Sequence, residues 1–327
     1  REFMVSKDKV VVMGHKIPDV DSIGAGIGIY RAAKSLNKKT HIVVNNPTMS
    51  VRPIIQTFKD NPDYDENMFI DSDEARAIVD DNTVVVVVDT NKPSYTECED
   101  LLHMSKTIVV LDHHRQGSEV IQNAVLSYIE PYASSACEMV AEILQYFSDD
   151  IRIYNIEADA LYSGIIIDTN NFTSKTGVRT FEAAAFLRRC GADVTRVRKM
   201  FRDDVQSYRA KAEAIRHVET YKGCFAIAVC PTEGVDSPTV VASQAANELL
   251  NIDSVKATFV LTDYQNKIFI SARAIDEVNV QLVMERMGGG GHINMAGAQL
   301  PGATVEEAIA QLKITLDQMI HEGDIEI

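Results

Sequence analysis

Histidines and aspartates stand at the ends of apolar runs in this chain. Val10 to Met13 leads to His15, with Asp19 and Asp21 behind it at H-x-x-x-D-x-D spacing. Val84 to Val88 leads to Asp89, Ile108 to Leu111 leads to Asp112-His113-His114, and Gly164 to Ile167 leads to Asp168. One aspartate after such a run is usually a helix cap or a turn residue. Four segments that end alike are a different matter, because the carboxyl ends of strands in an open parallel sheet share one rim, where ligands bind. Carboxylates gathered there resist joint ionisation, and divalent cations are the simplest compensation. Asp19, Asp21, Asp89 and Asp168 together match two such ions. Oxygen-rich donors with a minority of imidazoles and no thiolate favour Mn²⁺, with Mg²⁺, Co²⁺ or Fe²⁺ as alternatives, over a structural zinc. Two ions about 4 Å apart can share a hydroxide nucleophile and clamp a phosphoryl oxygen during in-line displacement. The chemistry is hydrolysis of a phosphate ester or anhydride.

A second group lies far downstream. Gly288-Gly289-Gly290-Gly291-His292 follows a helical stretch from Val278 to Met287. One glycine suffices to end a helix, whereas four in a row let backbone N–H groups approach an anion with no side chain in the way. His292, and Arg273 on a nearby predicted strand, add donors and positive charge. The run lacks G-K-[ST] and is no P-loop. Gly24-Ala25-Gly26-Ile27-Gly28 falls inside a predicted helix and reads as close packing of that helix on the sheet, not as a dinucleotide fingerprint. His41, His103, His217 and His321 sit in no such pattern and read as structural or solvated.

Short β-branched runs alternate with amphipathic stretches through residues 4–192, predicting an α/β domain with a mostly parallel sheet. Its strands are Val10 to Met13, His41 to Val44, Val84 to Val88, Ile108 to Leu111 and Gly164 to Ile167. The unbroken valines 84 to 88 read as a strand buried on both faces. Helices are predicted at Ser22 to Leu36, Asp73 to Asp80, Tyr95 to Met104, Ser135 to Phe147 and Thr180 to Arg189. Residues 193–222 are highly charged and read as one long connecting helix. Residues 223–327 read as a smaller α/β domain, with a strand from Cys224 to Cys230 and a helix from Ser237 to Leu250. A hairpin of Val255 to Thr262 and Lys267 to Ala274, closed around Asp263 to Asn266, precedes a last helix from Val305 to Ile320.

Composition bounds the partners. The 327 residues carry 32 Lys and Arg against 47 Asp and Glu, a formal net charge of −15, which disfavours binding of long nucleic acid. A phosphate substrate then requires something local to reverse the field. The five cysteines form no C-x-x-C pair and read as reduced thiols. Neither a membrane-spanning run nor a signal-peptide layout is present, so the expectation is a soluble, cytoplasmic chain. Arg1-Glu2-Phe3 before Met4 reads as a cloning remnant and is left out of the fold expectations.

These residues resemble a known family. Asp112-His113-His114, with His15-x-x-x-Asp19-x-Asp21 and Asp89 before it and Asp168 after it, resembles the DHH phosphoesterase superfamily. Gly288 to His292 resembles the GGGH signature of its DHHA1 subfamily. Gly14 to Gly24, Asp112 to Arg115 and Asp168 to Phe172 are most similar to the catalytic module of GdpP-type cyclic-di-AMP phosphodiesterases. The resemblance implies manganese-dependent hydrolysis of cyclic di-AMP to linear pApA in a cleft between the two domains. It implies that His15, Asp19 and Asp89 hold one metal and Asp21, Asp89, His113 and Asp168 the other, with Asp89 bridging. Asp112 would orient ligands, His114 would face the substrate phosphate, and Gly288 to Gly291 with His292 would bind the far part of the dinucleotide. The family context is the cytosolic end of a bacterial membrane protein, with homodimerisation left open. The alternatives are a nanoRNase or pAp phosphatase acting on short linear oligonucleotides, and a non-catalytic nucleotide sensor. A family II pyrophosphatase lacks the glycine–histidine loop, and a RecJ-like exonuclease would need a basic track for single-stranded DNA.

Overall fold

The computed structural model describes residues 1–326, in two compact units that divide between Arg202 and Asp203. In the first unit six strands form an all-parallel sheet: β1 (Lys9–Met13), β2 (Lys39–Val43), β3 (Phe69–Ile70), β4 (Thr83–Val88), β5 (Thr107–Asp112) and β6 (Leu126–Ile129). Their order is β3-β2-β1-β4-β5-β6. The order reverses between β1 and β4, so the connections after these strands part and open a crevice at the carboxyl ends. All six residues of β4 are buried. Val84, Val86 and Val88 pack on one face with Val10 and Val12, whereas Val85 and Val87 pack on the other with Val11 and Met13. The two-residue period of a strand is therefore present, but both faces are covered and valine serves both.

The first of these cores is completed by α1 (Val20–Ser35), α2 (Ala136–Phe147), α3 (Asn155–Asp168) and α4 (Val178–Arg189). Gly26 of α1 faces Ile42 and Val12 of the sheet, as expected. Gly24 and Gly28 instead admit neighbouring helices. A Cβ at Gly24 would lie 2.6 Å from Ala160 O, and one at Gly28 would lie 2.5 Å from Val140 Cγ1. Gly164 to Ile167 is not a strand: it is the last part of α3, whose small residues from Ala158 onward are buried. A run of four apolar residues does not distinguish strand from helix, and the helical residues before it decide. Tyr95 to Met104 is not one helix either. It holds a 3₁₀ turn at Pro93–Tyr95 and a short helix at Leu101–Met104, because Thr96 between them is extended and pairs with His15. Glu2 and Phe3 fold into a single helical turn, Glu2–Val5, in which Met4 is buried.

The stretch 193–222 holds two helices, α5 (Val194–Met200) and α6 (Val205–Arg216). Asp193 accepts from the amides of Thr195 and Arg196, and Asp204 from those of Gln206 and Ser207. A second capping aspartate inside the charged stretch starts a second helix. The chain then enters a six-stranded sheet of β7 (Glu219–Tyr221), β8 (Phe225–Val229), β9 (Ala257–Tyr264), β10 (Lys267–Ala274), β11 (Gly290–His292) and β12 (Met295–Pro301). The order is β11-β12-β10-β9-β8-β7, antiparallel except between β8 and β9. Gln265 and Asn266, at φ 54° and 59°, close the β9–β10 hairpin as a two-residue turn. The helices of this unit are α7 (Pro238–Leu249), α8 (Val280–Arg286) and α9 (Val305–Glu322). No helix among the described residues is long and apolar enough to cross a membrane.

The glycine run is not a loose loop. Gly288, at φ 77°, ends α8, and Gly290 to His292 become edge strand β11. A Cβ at Gly289 would lie 2.7 Å from Ala298 Cα, so the close approach of β12 excludes a side chain there. A Cβ at Gly290 would meet nothing within 4 Å. Gly289→Ala is therefore expected to destabilise the protein by about 1–3 kcal/mol, and Gly290→Ala by less than about 0.5 kcal/mol. Urea midpoints at unchanged m-value read both, and equal midpoints for the two variants would refute this packing.

Candidate metal centre

His15 lies just beyond β1 and is held in extended pairing with Thr96. Asp19 caps α1: its Oδ1 accepts from Ser22 N at 2.9 Å, while its Oδ2 stands 3.4 Å from His15 Nε2. Asp21, in the first turn of α1, is buried, and its oxygens accept from Ala136 N and Cys137 N at 2.6 and 2.8 Å. These are the first amides of α2, and a helix N-terminus offers unpaired N–H groups with partial positive charge. Asp89 follows β4 in the left-handed conformation, φ 61°, a costly state for a residue with a side chain. Its carboxylate is buried between two imidazoles, with His15 Nε2 3.3 Å from Oδ2 and His113 Nε2 3.2 Å from Oδ1. His113 Nε2 also lies 3.6 Å from Asp21 Oδ2 and 3.6 Å from Asp168 Oδ2.

Two donor groups meet here. Ligand-type atoms of His15, Asp19 and Asp89 lie within 4.8 Å of one another, as do those of Asp21, His113 and Asp168, and those of Asp89, His113 and His114. Asp89 and His113 join the sets. The six residues expected as ligands are thus brought together, although Asp168 arrives at the end of a helix and not of a strand.

Asp112, the last residue of β5, is fully buried. Its Oδ1 accepts from His114 N at 3.1 Å and lies 2.8 Å from His114 Nδ1. Asn91 Nδ2 donates to the other oxygen of Asp112 and, at 3.4 Å, to His114 O. Asn91 was not legible beforehand: an asparagine three residues past a strand reads as a turn residue. The backbone amides that hold Asp21 leave no side-chain signal at all.

Charge governs the site. Burial disfavours a charged His15 ring, yet the hydrogen bonds and charges of Asp19 and Asp89 prevail and raise its pKa to about 11. Burial is likewise outweighed at His113, where Asp89, Asp21 and Asp168 raise the pKa to about 10. Burial and the Asp89 charge lift Asp21 to about 7, and burial with the charges of Asp21 and Asp89 pushes Asp168 well up. Asp89 goes the other way. Burial would raise it, but the facing imidazoles of His113 and His15 hold it well below the usual carboxylate range. Asp89 Oδ1 and His113 Nε2 are buried with no hydrogen-bond partner among the described residues. An orphaned carboxylate oxygen beside an orphaned imidazole nitrogen, with three further carboxylates around them, fits a divalent cation. Burial and the Asp21 charge push the Cys137 thiol well up, so the donor set holds oxygen and nitrogen and no thiolate.

The other expected site residues lie in the second unit. Arg273, on β10, is buried, and its guanidinium donates to Asn247 Oδ1 at 3.1 Å, to Ala272 O at 2.8 Å and to Ser243 Oγ. Burial lowers its pKa to about 10, because its partners are neutral oxygens. Gly288, Gly289 and Gly290 line a depression of about 480 Å³ with Thr239, Phe269, Ser271 and Gln299. Gly291 and His292 are exposed beside it.

His15 and His113 titrate above neutral pH and Asp21 near it, so they retain protons that a cation must displace. Mn²⁺ affinity is therefore expected to rise with pH, with roughly two or more protons released per chain near neutrality. Calorimetry in buffers of differing ionisation heat measures both. Affinity that stays constant between about pH 6 and about pH 9 would contradict the protonated histidines.

Residues 9–165 match the family model described as DHH family, N-terminal domain, and residues 223–322 match the DHHA1 domain. The chain is 43% identical over 329 residues to cyclic-di-AMP phosphodiesterase GdpP of Bacillus subtilis, covering 99% of this chain and 50% of GdpP. It is 38% identical over 320 residues to cyclic-di-AMP phosphodiesterase PdeA of Listeria monocytogenes, covering 97% and 48%. The chain thus spans about half the length of these curated relatives. Its fold resembles that of an exopolyphosphatase-related protein from Bacteroides fragilis, with a TM-score of 0.82 at 20% identity over 97% of this chain and 94% of that one. With a DHH domain followed by a DHHA1 domain, the chain belongs to the DHH/DHHA1 phosphoesterase family.

Proposed function

We propose that this chain hydrolyses one phosphodiester bond of cyclic di-AMP and releases linear pApA. The observation that carries the reading is the pair of donor groups joined through buried Asp89, in a chain whose relatives are cyclic-di-AMP phosphodiesterases. His15, Asp19 and Asp89 would hold one divalent cation, and Asp21, Asp89, His113 and Asp168 a second, with Mn²⁺ the best match to oxygen and imidazole donors. Bound there, the ions would supply Lewis acidity to the phosphoryl group and to its attacking water.

The protein's own groups do the rest. Asp112, fixed by Asn91, lies 2.8 Å from His114 Nδ1 and sets the ring so that Nε2 would face the substrate phosphate. The amides of Ala136 and Cys137 fix both oxygens of Asp21, which limits the directions in which it can bind a cation. Arg273, Gly288 to Gly291 and His292 would take the part of the dinucleotide away from the reacting phosphate. Gly290 supports the assignment, because no packing contact and no left-handed φ demands a glycine at that position.

Incubation with Mn²⁺ and separately with cyclic di-AMP, cyclic di-GMP, pApA and pAp tests the reading. The expected result is pApA accumulating from cyclic di-AMP. AMP as the main product, from linear substrates, would assign the chain to the nanoRNase class; binding without turnover would make it a sensor.

A further inference from the structure

Two lysines close in the chain to candidate metal ligands converge on one exposed tyrosine. Lys16 directly follows His15, and Lys92 comes three residues after Asp89. Their Nζ atoms lie 5.3 and 5.2 Å from the centroid of the Tyr95 ring, which is 53% exposed. The position is not accidental surface crowding. Lys16 N donates to Tyr95 O at 2.7 Å, Glu97 N donates to Gly14 O at 2.9 Å, and His15 bridges Thr96, so the tyrosine segment is fastened alongside the His15 segment. Lys16 Nζ also donates to Ser94 O at 3.0 Å. The neighbouring carboxylate of Glu119 accepts from Ser94 N and Oγ at 3.1 and 2.9 Å, and those bonds together with the charges of Lys92 and Lys16 lower its pKa, so it offsets part of the lysines' charge without ion-pairing to either. Neither lysine forms an ion pair among the described residues, although acidic groups outnumber basic ones by fifteen in this chain. Attraction to a ring face restrains an ammonium without neutralising it.

We infer that Lys16 and Lys92, gathered on Tyr95, form a subsite for a second phosphate of the substrate, the one that is not being cleaved. The chemistry is recognition of a phosphodiester anion by two restrained ammonium groups, close along the chain to the His15 and Asp89 ligands. A cyclic dinucleotide carries two phosphodiesters a nucleotide apart, so one can react while the other is held. Simple monophosphate diesters lack the second handle, and the subsite would select against them. The inference rests on the phosphodiesterase reading above and deepens it.

The test compares Lys16→Met/Lys92→Met with wild type and with Lys16→Arg/Lys92→Arg, on cyclic di-AMP and on bis(p-nitrophenyl) phosphate, which has a single phosphate. The ratio of kcat/KM for cyclic di-AMP to that for the single-phosphate ester should fall roughly tenfold or more in the methionine variant, mainly through KM, and recover with arginine. The slope of log KM against log salt for cyclic di-AMP should drop by about one per lysine. An unchanged ratio and salt slope in the methionine variant overturns the subsite. Failure of wild type to cleave cyclic di-AMP at all overturns instead the phosphodiesterase reading, and equilibrium dialysis of cyclic di-AMP against the same three proteins then decides the subsite: equal affinities refute it.

Discussion

The carboxylate of Asp89 lies buried between His15 and His113, 3.3 and 3.2 Å away, and much of the first unit serves to keep it there. An unpaired carboxylate at such a depth costs several kcal/mol. The fold meets that cost with imidazole rings on both sides of the carboxylate, a role that a bound cation would share. Delivering it requires β4 to be buried along its whole length and the backbone to turn left-handed at once. Because β1 and β4 are neighbours in the sheet, His15 and Asp89, each just past a carboxyl end, come to lie side by side.

The remaining contacts follow from this constraint. Burial and the Asp89 charge lift Asp21, and burial with the charges of Asp21 and Asp89 lifts Asp168, so both would ionise more readily beside a divalent cation. The α2 amides restrain Asp21 meanwhile. The excess of acidic residues that first argued against a phosphate ligand is therefore partly the metal centre itself. Lys16 and Lys92, close in the chain to His15 and Asp89, form no ion pair with those acids among the described residues.

The strand-end aspartates were legible in the sequence because strand ends, liganding residue types and spacing all agree there. Val84 to Val88 announced a doubly covered strand by lacking alternation. Asp168 was expected in the cluster for an incomplete reason: Gly164 to Ile167 looks extended in isolation, and only the buried small residues before it make it a helix. The break at Asp204 was hidden because a capping aspartate looks like any other charge in a charged stretch. Gly24 and Gly28 signal close packing but not the partner, which is a helix in each case. Asn91 and the α2 amides were invisible, since their roles depend on which segments the fold brings near.

The central claim is that two cations share Asp89. Anomalous diffraction at the manganese edge, from crystals grown with Mn²⁺, tests it directly. The account predicts two peaks, both in contact with the Asp89 carboxylate, one also touching His15 and the other His113. A single peak, or a second that does not touch Asp89, would contradict it.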